Sequence, residues 1–225
     1  MKKVVVAVFT ALLISPFFAS AQENNSDEFS KWQVRLRAIN IMPNESADIG
    51  VIGGDVDISN AFVPELDFTY FINKKFALEL ILATAKHDVN TVSSDISAVG
   101  GSTNANVDLG DVWLLPPTLT FQYHHELFKN FKPYVGAGVN YTIFYNEDAG
   151  DVAQGISYDN SFGIATQIGF DYMINEKFFL NADFKYIFLS TDVTVDADNL
   201  MSGLSIPAEV DINPAIAGFG IGMKF

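Results

Sequence analysis

The sequence predicts an all-β fold: an eight-stranded antiparallel transmembrane β-barrel with short periplasmic turns and long extracellular loops. Three observations carry this. Eight segments alternate apolar with polar or small residues at period two, so each strand has one greasy face and one mixed face. The connections between them are short and long by turns, the asymmetry of an outer-membrane barrel. Apolar residues make up 49% of the chain. Past residue 21, however, no run is long enough for a spanning helix, because a spanning strand interleaves its lipid-facing residues with interior ones.

Taken in order, Lys2 and Lys3, the apolar run Val4 to Phe18 and the small-x-small site Ala19-Ser20-Ala21 read as a secretory signal peptide over residues 1–21. The run is short of the ~20 residues that a spanning helix needs. The exported chain is then expected to start at Gln22, with a flexible polar lead-in over residues 22–30 and one barrel domain over 31–225. The first strand, Lys31–Met42, sets Trp32, Val34, Leu36 and Ala38 against Gln33, Arg35, Arg37, Ile39 and Ile41. The second, Ala61–Ile72, sets Phe62, Pro64, Leu66, Phe68 and Tyr70 against Ala61, Val63, Glu65, Asp67 and Thr69. The third, Phe76–Lys86, sets Phe76, Leu78, Leu80 and Leu82 against Ala77, Glu79, Ile81, Ala83 and Ala85. The fourth and fifth form a hairpin from Leu114 to Tyr145, with Leu119, Phe121 and Tyr123 on one face and Thr118, Thr120 and Gln122 on the other. The sixth is Ser161–Ile174. In the seventh, Lys177–Leu189, the mixed face carries Phe179, Asn181, Asp183, Lys185, Ile187 and Leu189. The eighth, Ala215–Phe225, alternates glycines with Phe219, Ile221 and Met223. The turn Tyr70-Phe71-Ile72-Asn73-Lys74-Lys75-Phe76 is echoed by Tyr172-Met173-Ile174-Asn175-Glu176-Lys177-Phe178, with aromatics beside each turn where an interfacial belt would lie. Residues 43–60, 87–112, 146–160 and 190–209 are expected as long polar loops.

Charge separates the two ends of this barrel. The four long connections carry many Asp and Glu and no Lys or Arg, whereas Lys74, Lys75, Lys129, Lys132 and Lys177 lie at the short turns. The formal charge of −14, more negative once Lys2 and Lys3 are removed, excludes nucleic acid as a partner. An acidic rim could hold cations or repel anions, or simply keep the loops solvated; no loop has a calcium-loop spacing. The chain has no cysteine. Its rigidity must come from elsewhere, and a closed sheet supplies it.

Sorted by height, the inward faces divide in two. Ile39, Ile41, Ala61, Val63, Ile81, Ala83, Leu114, Phe144, Ile187, Leu189 and Ile216 fall near the outer end and form a candidate apolar, ligand-lining well. Arg35, Arg37, Glu65, Asp67, Glu79, Asp183 and Lys185 fall deeper, with Gln122, Gln167 and Asn181. Buried charges of both signs must pair, so the lower layer is expected to close the barrel. Both layers could equally be ordinary filling, since eight strands leave room for little more than their own side chains. Pro116 and Pro117 together remove one ladder donor on each side of their strand, which predicts a local opening or bulge and a candidate lateral exit into the membrane. Phe225, on one face with Met223, Ile221 and Phe219, is a candidate signal for the barrel-assembly machinery.

The segments Leu114-Leu115-Pro116-Pro117-Thr118-Leu119, Pro133-Tyr134-Val135-Gly136-Ala137-Gly138-Val139-Asn140-Tyr141, Asp171-Tyr172-Met173-Ile174-Asn175 and Gly222-Met223-Lys224-Phe225 resemble the outer membrane protein W family, across essentially the whole exported chain. The resemblance implies an eight-stranded barrel in the bacterial outer membrane. It also implies a narrow apolar channel that admits small hydrophobic molecules, and a receptor role for phage or bacteriocins in some members. Outer-membrane lipid and lipopolysaccharide, a small hydrophobic solute and the assembly machinery are the expected partners. Where relatives can carry a bulky inward aromatic on the seventh strand this chain has Lys185, so its constriction is expected to be built differently.

No catalytic constellation stands out, and no cofactor or metal is expected. His87-Asp88 with Ser93 and Ser94 could serve an acyltransferase or esterase only if nucleophile and base meet within hydrogen-bond reach. His124 and His125 point to opposite faces of a strand and cannot share one metal. A soluble eight-stranded barrel with its apolar face inside is the alternative fold. A structural or receptor barrel working through its acidic loops is the alternative function.

Overall fold

A computed structural model describes residues 29–225. The expected signal peptide, 1–21, and most of the expected lead-in, 22–30, lie outside the described residues. Fifteen strands form: β1 (Trp32–Met42), β2 (Ser46–Ile49), β3 (Asp55–Ile58), β4 (Ala61–Phe71), β5 (Phe76–Ala83), β6 (Ala85–Val92), β7 (Asp108–Leu115), β8 (Thr118–His124), β9 (Phe131–Ala149), β10 (Gly155–Tyr158), β11 (Ser161–Met173), β12 (Phe178–Phe188), β13 (Ser190–Asp196), β14 (Ser205–Asp211) and β15 (Ala215–Lys224). Eight of them close an antiparallel ring in the order β1, β4, β5, β8, β9, β11, β12, β15, and the last pairs back to the first from Gln33↔Lys224 to Met42↔Ala215. The fold is thus the predicted eight-stranded barrel.

Period two sends the predicted faces to the predicted sides. Leu36, Phe62, Phe162, Ile168 and Phe219 stand exposed on the outside, while Arg35, Asp67, Glu79, Thr120 and Asn181 are fully buried within. The two echoed turns share one device. The Asn73 side-chain oxygen accepts from the N–H groups of Lys75 (2.9 Å) and Phe76 (3.1 Å), and that of Asn175 accepts from Lys177 (2.9 Å) and Phe178 (2.8 Å). Inward glycines make room for large side chains. A Cβ at Gly222 would meet the Phe179 ring, and one at Gly169 would meet the Tyr134 ring, so these strands are bare where bulky residues cross the lumen.

The expected loops are the main departure. Much of 43–60, 87–112, 146–160 and 190–209 is strand, not loop. β2, β14, β13 and β10 form one upper sheet, and β3, β6, β7 and the end of β9 form another above the ring. The reason is alternation hidden by composition. Val193, Val195 and Ala197, and Ile206, Val210 and Ile212, are buried inward, while Asp192, Asp196, Glu209 and Asp211 between them face water. Acidic outward residues gave these segments a loop-like composition. Across the open edge between the two sheets, side chains replace the ladder: Ala47 N–H donates to Asp55 Oδ1 (2.8 Å) and Ile58 N–H to Glu45 Oε1 (2.9 Å).

Candidate functional site

Between the two upper sheets lies a cavity of about 170 Å³ with an almost wholly apolar wall. For scale, an apolar cavity of about 150 Å³ stays dry and takes up benzene. Six of the eleven residues expected for the well stand on this wall: Ile41, Leu114, Phe144, Ile187, Leu189 and Ile216. The other five do not reach it. Ile39 and Ile81 are buried below, Val63 and Ala83 are half-buried beside them, and Ala61 is buried opposite Ile41. Sequence reasoning missed the upper part of the wall, including Ile49, Val89, Val193, Val195, Ile206 and Val210, because those segments were read as loops. Their period-two spacing was the available signal.

Below the cavity, all seven residues of the expected charged layer are buried in one lattice of ion pairs. Arg35 reaches Asp67 (3.1 Å) and Glu79 (2.7 Å), and across the barrel it reaches Asp171 (3.3 Å). Arg37 reaches Glu65 (2.7 Å), Asp67 (2.8 Å), Glu79 (3.3 Å) and Asp183 (3.6 Å). Lys185 Nζ lies 3.0 Å from Glu65 and 2.5 Å from Asp183. Carboxylates outnumber cations here, and neutral donors take up the surplus oxygens. Gln122 (2.7 Å) and Gln167 (2.9 Å) donate to Glu79 Oε2, and the Tyr134 hydroxyl donates to Asp183 Oδ2 (2.8 Å). Asp171, 1% exposed, belongs to this layer too, though it is not among the seven residues the sequence assigned to it. An aromatic stack continues the floor downward. His124 packs between Phe71 and Tyr134 at 4.8 Å from each, its Nε2 is 2.8 Å from Gln122 Oε1, and Phe29 meets Phe71 edge-on. His124 is therefore an interior residue, 3% exposed.

Beside the cavity floor the ring is incomplete. Pairing of β5 with β8 stops at Ile81↔Thr118, and pairing of β6 with β7 begins only at Ala85↔Leu114. Leu82, Ala83 and Thr84 thus face Leu115, Pro116 and Pro117 without a ladder. On the other side of the proline pair the sheet holds, through Tyr141 N–H donating to the Pro117 carbonyl (3.0 Å). Side chains satisfy the freed carbonyls. Thr118 Oγ1 (3.0 Å) and Asn140 Nδ2 (3.2 Å) donate to the Pro116 oxygen, and Thr84 Oγ1 donates to the Leu114 oxygen (3.1 Å). Pro116 also lines the cavity.

The candidate hydrolytic constellation does not assemble. His87 points inward with Nδ1 at 2.6 Å from the Ser59 carbonyl oxygen, while Asp88 faces outward and its N–H bonds Ser59 Oγ. Among the described residues no group of His, Asp or Glu is arranged to hold a metal ion.

A family model described as the OmpW family matches residues 28–225. The chain belongs to the OmpW family. It is 31% identical over 229 residues to outer membrane protein W of Vibrio cholerae, covering 98% of this chain and 97% of the relative. It is 41% identical over 216 residues to the uncharacterized outer-membrane protein y4mB of Sinorhizobium fredii, covering 96% and 89%. It is 27% identical over 222 residues to the dibenzothiophene metabolism operon protein PahQ of Pseudomonas aeruginosa, covering 96% and 98%. Among solved structures, the crystal structure of the outer membrane protein OprG from Pseudomonas aeruginosa superposes with a TM-score of 0.75 at 27% identity, covering 87% of this chain and 96% of that one. This OmpW-family chain is accordingly a multi-pass β-barrel of the bacterial outer membrane.

Proposed function

We propose that the barrel takes small apolar molecules from outside into the upper cavity and releases them sideways into the membrane. The observation that carries this reading is the position of Pro116. It is on the cavity wall and also at the break in the ladder, directly above a floor of paired charges. An apolar solute leaving the cavity then has two directions: down through a lattice of buried ions, which it cannot solvate, or sideways past a seam whose backbone is held by side chains. The second is physically easier, because no buried ion pair has to lose its partner. The name of the relative PahQ, a dibenzothiophene metabolism operon protein, supports an apolar aromatic solute class.

Replacing both prolines, Pro116→Val with Pro117→Val, restores two ladder donors and should close the seam. The expected outcome is a tenfold or greater fall in uptake of an apolar aromatic solute by cells expressing the variant, with the folded, heat-modifiable barrel still present in the outer membrane. Unchanged uptake through a correctly inserted variant would rule out the sideways route.

A further inference from the structure

The cavity wall holds few polar side chains, and the protein itself occupies most of them. Thr91 Oγ1 accepts from Val107 N–H (3.1 Å), Thr142 Oγ1 donates to Asn140 Oδ1 (2.8 Å), and Thr191 Oγ1 donates to the Asp159 carbonyl (2.6 Å). Asp95 is exposed to solvent and accepts from Ser97 N–H (2.9 Å). Two polar atoms remain without a partner among the described residues. One is the Tyr158 hydroxyl, on a ring stacked against Phe144 at 5.4 Å. The other is Nε2 of His87, a residue 4% exposed and part of the wall.

The chemistry of His87 is fixed by its neighbour. A carbonyl oxygen only accepts, so the 2.6 Å contact with Ser59 places the proton on Nδ1. The neutral ring then presents Nε2 as a bare acceptor. The residue lies above the membrane-spanning part, where its strand neighbours Lys86 and Asp88 face water and Lys86 pairs with Asp111 at 3.0 Å. Burial pushes the imidazole below its ordinary range. Asp88 and Glu45, the charged groups acting on it, pull weakly the other way, so the ring is neutral at pH 7. An acceptor on an apolar wall with no protein partner gains a hydrogen bond from a ligand donor, whereas an apolar ligand that covers it leaves it desolvated and unpaired. An apolar pocket with very few placed polar groups is also the usual form of a site that selects by one functional group.

We propose that the well selects apolar molecules bearing one hydroxyl, an alcohol or a phenol, whose O–H donates to His87 Nε2 while the hydrocarbon part fills the cavity. At about 170 Å³ the cavity suits a single ring or a short chain. The inference rests on the reading of the cavity as a solute site and adds the class of solute.

The test uses p-cresol and p-xylene, which share a shape and differ by a hydroxyl in place of a methyl. Each is titrated at pH 7.5 into the full exported barrel in lipid nanodiscs, with empty nanodiscs correcting for partition into lipid. His87→Phe removes the acceptor and keeps a planar ring. It should weaken p-cresol about tenfold and leave p-xylene within twofold, the loss of one buried hydrogen bond to an otherwise orphaned group. An equal change for both ligands, or no change for either, overturns the hydroxyl selectivity and leaves the well standing. Failure of both ligands to bind the wild-type barrel overturns the well as well. A readout on the unmutated protein guards against a misfolded variant. The His87 Nε2 nitrogen resonance should shift on saturation with p-cresol and stay put with p-xylene, and an Nε2 resonance that p-cresol leaves unmoved defeats the proposal.

Discussion

Lys185 is the residue whose burial most needs explaining. Its ammonium sits inside the barrel at 2% exposure, held between Glu65 and Asp183 at 3.0 and 2.5 Å. Removing such an ion from water costs several kcal/mol, and only close carboxylates offset that cost. The same two carboxylates also contact Arg37, at 2.7 and 3.6 Å. Lys185→Met therefore leaves Glu65 and Asp183 sharing one cation, and should destabilise the barrel by about 3–5 kcal/mol, the range for breaking a buried pair. Adding Glu65→Gln removes one stranded charge, so the double variant should be more stable than Lys185→Met alone. Urea unfolding in lipid vesicles, followed by fluorescence of the two tryptophans, measures both. If the costs of the two single changes simply add, the direct Lys185–Glu65 coupling is disproved.

Among the elements, the segment expected as one strand over Phe76–Lys86 departs most from a regular ladder, because it is broken between β5 and β6 at Thr84. Thr84 Oγ1 bonds the Leu114 carbonyl (3.1 Å) and shares a hydrogen bond with the Tyr145 hydroxyl (2.6 Å), so one side chain bridges the seam beside the prolines. Thr84→Val keeps the shape and removes both bonds. It should loosen the seam by about 2 kcal/mol, the net worth of two hydrogen bonds, without unfolding the ring. Faster hydrogen exchange confined to amides flanking residues 82–85 and 112–117 is the expected signature; unchanged exchange there means Thr84 holds nothing. The proline pair made the break legible in sequence, because missing donors can be counted residue by residue. The Thr84 bridge was not legible, since it depends on which strand lies opposite. The same limit hid the Arg35–Asp171 pair, which spans 136 positions of sequence and crosses the lumen rather than joining neighbouring strands. The membrane part of each strand was legible because lipid on one side and packed charge on the other write a clean alternation, as along Arg35, Leu36, Arg37 and Ala38. Above the membrane, water replaces lipid outside, aspartates replace leucines, and Val193-Thr194-Val195-Asp196 reads as a loop although its inward face is buried.

On the scale of the whole molecule, three media are stacked along one axis: an apolar cavity, a lattice of paired ions and an aromatic plug. Gln33, Arg35, Arg37, Phe179, Asn181 and Lys185 are all buried to 2% exposure or less, and the Phe179 ring lies 5.6 Å from Arg35 and 5.7 Å from Lys224. An eight-stranded ring is only just wide enough for its own side chains, and here large side chains fill the bore across its full width. For a hydrated ion to pass, several of these contacts must break at once, and each break strands a charge in a medium that cannot solvate it. The intact barrel should therefore show no large, steady conductance in planar bilayers. Small, brief openings are the most that fluctuation of the lattice allows. Trimming the floor gives the contrasting case. Arg37→Ala with Phe179→Ala removes a central cation and the ring beneath it, and single-channel recording should then show a sustained conductance. A wild-type barrel that conducts ions as steadily as this double variant would mean that the charged floor is a selectivity filter and not a seal.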